Sequence, residues 1–314
     1  MISFVVPCYN EEGNVALIYE EIKKVFGEKR IDTEIVMVND GSKDRTAEKL
    51  NELYAEKQDK NLKIVHFSRN FGKEAAMLCG LKHTTGDYVC FIDADLQQKP
   101  EVALEMYERL LRNPRLDAVG AYQKNRKESG LLKFCKKNFY KIINKLCDIH
   151  FEPATSDFRI LTRRMADSVL SMTEYYRFSK GLFSFVGYES EFIPYEVQER
   201  HSGKSSWSFK SLFRYAVEGI AGYTTKPLLW PLYIGFTGLI LSVLLIIADV
   251  ILSIVGLGVP EHAMIIPVVL FCFNVLFIMA GVIGIYLGKT YMQTKNRPVY
   301  IEKEILCEDE NGNE

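Results

Sequence analysis

YVCFIDADLQ, residues 88–97, is an apolar run that ends in two acids one residue apart, Asp93 and Asp95. Short apolar runs rich in β-branched and aromatic residues read as buried strands. Two carboxylates at the end of such a strand repel each other unless a cation joins them. Outward from it, SFVVP (3–7), TEIVMVN (33–39), LKIVHF (62–67) and DAVGAY (117–122) have the same character, and helical patterns start near Glu12, Ser42, Gly72 and Pro100. Strand and helix in alternation predict an α/β fold with a mostly parallel sheet covered on both faces. Ligands of such sheets bind outside the carboxyl ends of the strands.

The polar clusters fall at those ends. Pro7-Cys8-Tyr9-Asn10-Glu11-Glu12 follows the first strand, and Asn39-Asp40-Gly41-Ser42 follows the second. Ser42 stands where a helix N-cap is expected. Asp40 can accept hydrogen bonds from ribose hydroxyls or a base N–H; Asn10 and Asp40 are equally the residues of plain turns. Asp93 and Asp95, with the Gln97 carbonyl, supply hard oxygen ligands suited to Mg²⁺ or Mn²⁺, against the alternative of a solvated turn. Thr155-Ser156-Asp157-Phe158-Arg159 puts a carboxylate before another short strand, and Arg177-Phe178-Ser179-Lys180-Gly181 adds basic groups. Arg200-His201-Ser202-Gly203-Lys204-Ser205 and Arg126 carry cations and hydroxyls suited to phosphate oxygens. No Gly-x-Gly-x-x-Gly follows the first strand and no Walker loop occurs, which excludes dinucleotide dehydrogenases and phosphate-loop hydrolases.

A net charge of -1 over 314 residues leaves no electrostatic footprint for nucleic acid. Seven scattered cysteines without a Cys-x-x-Cys pair suggest neither a disulfide framework nor zinc. The opening MISFVVPCYNEE has no basic leader and is expected to be a strand rather than a signal peptide. Near the other end, Pro227–Ala248 and Ala263–Gly288 hold no charged residue, and each exceeds the ~20 residues that cross a bilayer. Lys204, Lys210, Arg214 and Lys226 precede the first run and Lys289, Lys295 and Arg297 follow the second. The basic bias predicts a two-helix hairpin in the inner membrane with the catalytic portion and both termini cytoplasmic. The expected organisation is a catalytic domain over 1–206, an amphipathic juxtamembrane helix over 207–226, two spans within 227–288 and a tail over 289–314. LLKFCKKNFYKIINKLC (131–147) has an apolar stripe beside five lysines, equally a membrane-surface helix or a solvated one.

Taken together, Val6-Pro7-Cys8-Tyr9-Asn10-Glu11, Asn39-Asp40-Gly41-Ser42, Asp93-Ala94-Asp95, Ser156-Asp157-Phe158-Arg159 and Arg200-x-x-Gly203-x-Ser205 resemble the polyprenyl-phosphate glycosyltransferases of glycosyltransferase family 2. The resemblance covers nearly the whole chain. It implies a Rossmann-like GT-A fold and nucleotide-sugar contacts from Pro7, Tyr9, Asn10, Glu11, Asp40, Asp93, Ala94 and Lys180. It implies Mg²⁺ or Mn²⁺ at Asp93, Asp95 and Gln97, catalysis by Asp157 with Asp95, and an acceptor phosphate at Arg126, Arg200 and Ser205. One departure from the looser family pattern is Ser206, where many relatives carry Lys. The expected reaction is inverting transfer of a hexose, glucose from UDP-glucose first, to undecaprenyl phosphate; UDP-N-acetylhexosamine, UDP-galactose and GDP-mannose are the alternative donors. Homo-oligomers are known in this group. Asp157 is expected to orient the acceptor, remove a residual proton or stabilise charge on the anomeric carbon. A processive polysaccharide synthase would need Gln-x-x-Arg-Trp, which Gln198-Glu199-Arg200-His201 does not match. A sugar-nucleotide sensor would not need paired metal carboxylates.

Overall fold

The computed structural model describes residues 1–124, 155–196 and 261–308, with a discontinuous set of positions between 224 and 254. Strands β1 (Ile2–Cys8), β2 (Thr33–Asn39), β3 (Leu62–Phe67), β4 (Tyr88–Phe91) and β5 (Ala118–Gln123) lie where the apolar runs predict them. They alternate with α1 (Val15–Glu28), α2 (Thr46–Lys57), α3 (Lys73–Lys82) and α4 (Pro100–Arg112). Then follow β6 (Thr155–Thr162), α5 (Arg163–Leu170), α6 (Ser179–Phe185), β7 (Ser190–Tyr195), α7 (Glu261–Thr294) and β8 (Glu302–Leu306). The strands form one sheet in the order β7-β5-β6-β4-β1-β2-β3-β8. Pairs β1/β2, β1/β4, β2/β3 and β5/β7 are parallel; β3/β8, β4/β6 and β5/β6 are antiparallel.

Helices cover both faces. On one, Val15, Ile18, Ile22 and Phe26 of α1 and Ala103, Met106 and Leu110 of α4 share a core with β1 and β2. Their spacing of three and four residues keeps these side chains on one helical stripe. On the other, Ala75, Ala76 and Cys79 of α3 pack on Val36, Val38 and Val65, and α5 packs on β4 and β6 through Met165 and Val169. Pro100 opens α4 at the one place where a missing N–H costs nothing.

The chain leaves β1 for β2 and β3 on one side and returns to β4 on the other. That reversal opens a crevice at the carboxyl ends of β1 and β4, where ligands of open α/β sheets bind.

Two helices start later than their sequence patterns suggest, α1 at Val15 and α2 at Thr46. The residues in between tie two loops together. Ser42 is not an N-cap: its hydroxyl accepts the Asn10 N–H at 3.0 Å, while the Asn10 side chain accepts the Lys43 N–H at 2.9 Å. The Glu11 N–H donates to Thr46 Oγ1 at 2.8 Å, and the Arg45 N–H to the Glu12 carboxylate at 2.9 Å. Gly41 sits in the same crossing at φ +59°, and a Cβ there would run into the backbone of Arg69 and Asn70. Gly41→Ala should therefore cost about 2 kcal/mol and lower the melting temperature by about 4–8 °C. Thermal unfolding in detergent measures it, and an unchanged melting point would show that the loops are not held in register there.

The last strand comes from residues that the sequence assigned to a tail. EKEIL alternates too briefly to announce a strand, and it forms one by pairing with the β3 edge, Ile64 with Leu306 and Val65 with Ile305. Glu302 lies 2.9 Å from His83 Nε2 and accepts from the Cys79 thiol at 3.6 Å, fastening β8 to α3. Burial and the Glu302 charge push the Cys79 thiol well above its ordinary range.

Among the described residues α7 is long and apolar enough to cross a membrane, over Cys272–Thr294 with mean hydropathy 1.7. None of that stretch is buried against the rest of the chain, unlike a core helix of a soluble protein. Its 34 residues span about 50 Å, and the helix runs past Gly288 through Lys289 to Thr294. Of the predicted juxtamembrane helix over 207–226 only Thr224 and Lys226 are described, and the segment 131–147 lies outside the described residues; in the first apolar run the described positions from Trp230 to Ile247 are helical.

Candidate active site

β4 ends at Phe91 and the chain turns through Asp93 to Gln98 before α4. Leu96 takes a left-handed backbone, φ 60°, to close that turn. The Gln97 N–H donates to Asp95 Oδ1 at 3.1 Å. Gln98, buried behind the turn, receives the Asp93 N–H at 2.9 Å and donates its Nε2 to Asp93 Oδ2 at 3.0 Å. Ala94 is buried in the core, so its methyl group serves packing.

β6 runs antiparallel to β4, with Arg159 opposite Phe91. Asp157 therefore lies within a strand rather than before one, and the sheet carries it to the level of the Asp93 turn. Alternation along β6 buries Phe158 and Ile160 in one core and turns Asp157 and Arg159 to the other face. Between the two acids stands Lys73, the first residue of α3. Its ammonium is 2.6 Å from Asp93 Oδ1 and 3.2 Å from Asp157 Oδ2.

Three cations act on Asp157. Burial disfavours its charge, but Lys73, Lys180 and Arg159 outweigh this and hold its carboxyl at about 2. Lys73 moves the opposite way: burial disfavours the ammonium, and Asp93 and Asp157 together raise it above its ordinary range. Arg159 is 5% exposed, and burial pulls its guanidinium down to about 10. It donates to the Ser156 carbonyl at 2.9 Å and lies 4.1 Å over the Phe183 ring, while its buried Nε has no partner among the described residues. Glu74 accepts the Ser179 N–H at 2.9 Å and the Ser179 hydroxyl, tying α3 to α6. Burial, then the Asp157 charge, raises its carboxyl.

Asp40 is almost fully buried. It accepts the Phe71 N–H at 2.6 Å and the Gly72 N–H at 2.9 Å, so the structure assigns it first to holding the loop that presents Lys73. Burial raises its carboxyl, although those N–H groups and Arg69 favour the charge. Pro7, Tyr9, Asn10 and Glu11 follow at the carboxyl end of β1, with Tyr9 exposed. Arg126, Arg200 and Ser205 lie outside the described residues.

The structure thus gathers Asp93, Asp95, Gln97, Asp157 and Lys180 around one crevice. Lys73, Glu74 and Gln98 belong to it as well, although the sequence did not single them out, and so does Arg159 of the Ser156–Arg159 motif. Lys73 and Glu74 open α3, five residues of loop after β3 ends at Phe67. The donor set of the Asp93–Gln97 turn, carboxylate and amide oxygen, fits a hard divalent cation rather than a soft one.

Residues 3–170 match the glycosyl transferase family 2 pattern. The chain is also 39% identical over 305 residues to CsbB of Bacillus subtilis (strain 168), covering 97% of this chain and 92% of that one. The chain belongs to glycosyltransferase family 2. Within this family it is 36% identical over 304 residues to the bactoprenol glucosyl transferase of Shigella phage SfX, covering 96% of this chain and 98% of that one. Among solved structures it is similar to glucosyl-3-phosphoglycerate synthase from Mycobacterium tuberculosis, with TM-score 0.51 and 19% identity over 70% of this chain and 76% of that one. That likeness is one of fold, GT-A-like α/β with a mostly parallel sheet. The chain is accordingly a glycosyltransferase.

Proposed function

We propose that this glycosyltransferase moves glucose from UDP-glucose to undecaprenyl phosphate at the cytoplasmic face of the membrane. The observation that carries the lipid acceptor is the contact between the end of α7 and the loop that precedes α6. The side-chain amide of Gln293, at the end of α7, donates to the Thr173 carbonyl at 2.9 Å and accepts the Tyr175 N–H at 2.8 Å. Lys289 lies 5.7 Å from the Tyr176 ring centre. The loop held in this way leads into α6, which carries Lys180 toward Asp157. A site tied to the end of an apolar helix suits an acceptor whose phosphate stands at the membrane surface. The likeness to a bactoprenol glucosyl transferase over nearly the full length of both chains supports the same acceptor and sugar.

The return of the chain supports a hairpin. Strands β1–β7 precede α7, and β8 follows it yet pairs with β3 in the same sheet. One crossing by α7 alone would leave β8 on the wrong side of the membrane, so the number of crossings is even. The uncharged run Pro227–Ala248 is long enough to be the second. The flanking lysines and arginines favour a cytoplasmic catalytic domain.

A divalent cation held by Asp95 and Gln97, with Asp93 beside them, would stabilise the negative charge of the departing diphosphate. The chain's own groups act on the other partner. The acceptor phosphate is largely dianionic near neutral pH, its second pKa being about 6, and needs little help from a base. Asp157, with a pKa of about 2, is too weak a base to take a proton effectively. It acts instead as a fixed negative charge facing the anomeric carbon as positive charge grows there. Lys180 and Lys73 offset the repulsion between Asp157 and the incoming phosphate. A single in-line displacement turns an α-linked donor into a β-linked lipid phosphate sugar.

Purified protein incubated with radiolabelled UDP- and GDP-sugars and undecaprenyl phosphate tests this. Lipid-extractable label is expected from UDP-glucose, and label from another sugar alone would reassign the donor. A reporter fused after Glu314 should be cytoplasmic and one inserted near Gly258 external; a C-terminus outside would overturn the hairpin.

A further inference from the structure

At the end of α3 away from Lys73, three side chains of different chemistry converge. Cys79 Sγ, a ring nitrogen of His83 and a carboxylate oxygen of Glu302 all lie within 4.8 Å of one another. We propose that this group is a cation site separate from the crevice, which takes Zn²⁺ or a similar thiolate-binding transition ion and clips the chain that follows α7 to the catalytic sheet.

Two elements assemble the site. The His83 N–H donates to the Cys79 carbonyl at 3.2 Å, so the two residues stand one helical turn apart on one face of α3. Glu302 opens β8, which reaches them by pairing with the β3 edge. It lies 219 residues from His83 along the chain, so cysteine spacing could not announce the group.

The geometry suits an ion. Bonds of ~2.0 Å to nitrogen or oxygen and ~2.3 Å to sulfur put tetrahedral zinc ligands roughly 3.3–3.6 Å apart. Cys79 Sγ is already 3.6 Å from Glu302 Oε1. The His83–Glu302 contact at 2.9 Å has to open by about 0.5 Å. The side chains of His83 and Glu302 are 23% and 26% exposed, which leaves the ion a way in and room for water as a fourth ligand. The Tyr300 hydroxyl bonds to the same sulfur in the sense that favours a thiolate, an outer contact of the kind that steadies a metal ligand. On binding, the thiol releases its proton to solvent and the sulfur bonds to the ion; nothing is oxidised or reduced.

Thiolate and imidazole together select zinc-like ions, whereas the oxygen donors of the Asp93 turn suit Mg²⁺ or Mn²⁺. The two places are therefore separable by choice of ion. The competing explanation is a His83–Glu302 ion pair beside a thiol that only packs in the core, and that arrangement gives sulfur no metal to bind.

Full-length protein in detergent, stripped with chelator and returned to excess Mg²⁺ to fill the crevice, is titrated with Co²⁺ as a spectroscopic stand-in for Zn²⁺. A thiolate-to-cobalt charge-transfer band and visible bands of tetrahedral strength should appear, and Zn²⁺ should bleach both. Cys79→Ser should abolish the charge-transfer band and weaken Zn²⁺ binding at least about tenfold. It exchanges one neutral side chain for another in the metal-free protein, so the loss would not follow from removing a charge. His83→Gln should keep the band and weaken Zn²⁺ binding by a similar factor. Zn²⁺ should raise the melting temperature of the wild type but not that of Cys79→Ser. A wild type without the charge-transfer band, or Zn²⁺ affinity unchanged in whichever of the two variants folds, would overturn the site and leave the ion pair alone.

Discussion

Asp157→Asn should lower sugar transfer by roughly a hundred- to a thousandfold, the scale lost when one pre-organised charge at a reacting centre is removed. Nucleotide binding should change little, because the uridine and diphosphate are expected at β1, β2 and the Asp95 turn. The substitution keeps the shape of the side chain but leaves Lys73 and Arg159 with less opposing charge. It should cost about 1–3 kcal/mol of stability, discounted because Asp157 and Lys73 both retain solvent contact. Activity measured beside circular dichroism separates the two losses, and a folded variant with near wild-type turnover would remove Asp157 from the reaction. The pH profile adds an independent check. Asp157 is held at about 2 against its ordinary 3.8, so its contribution to stability is present above about pH 4 and fades only as pH falls toward 2. Between pH 5 and 8 it does not titrate. The acid limb of transfer should instead follow the acceptor phosphate, near pH 6, and a limb that moved with substitutions around Asp157 would contradict this assignment.

Excess chelator should abolish transfer, and Mn²⁺ or Mg²⁺ should restore it. Asp95→Ala should lose activity by about a thousandfold or more and lose Mn²⁺ binding with it. Asp93→Asn should weaken Mn²⁺ binding as well, and it also disturbs the contacts of Asp93 with Lys73 and Gln98. It should still impair turnover, since the tie from the turn to α3 is lost. Calorimetric Mn²⁺ titration of both variants with UDP present ranks them. Full turnover in excess chelator would take the divalent cation out of the mechanism.

The strands and the chemistry at their ends were legible in the sequence because both are local. An apolar run such as Phe91-Ile92 needs only its own residues to bury itself as a strand, and a carboxylate after it inherits a place at the sheet edge. Asp93 and Asp95 could be named on that basis, Asp157 stood before a strand that turned out to contain it, and the apolar run ending at Gly288 announced a helix by composition alone. The exact starts of α1 and α2 were not legible, since Ser42 and Thr46 spend their hydroxyls on a neighbouring loop. β8 was hidden as well, because a five-residue strand on an edge is defined by the partner that it covers. Lys73 shows the limit most clearly. Its position after Gly72 puts it at the start of a helix, and nothing near it in the chain distinguishes it from a solvated lysine. Only the sheet order β6-β4-β1, which sets Asp157 beside Asp93, together with the hold of Asp40 on the preceding loop, decides that its charge falls between two acids. Local periodicity determined the elements, whereas the partners of a charge depend on which strands become neighbours, and that is fixed only when the whole sheet closes its core.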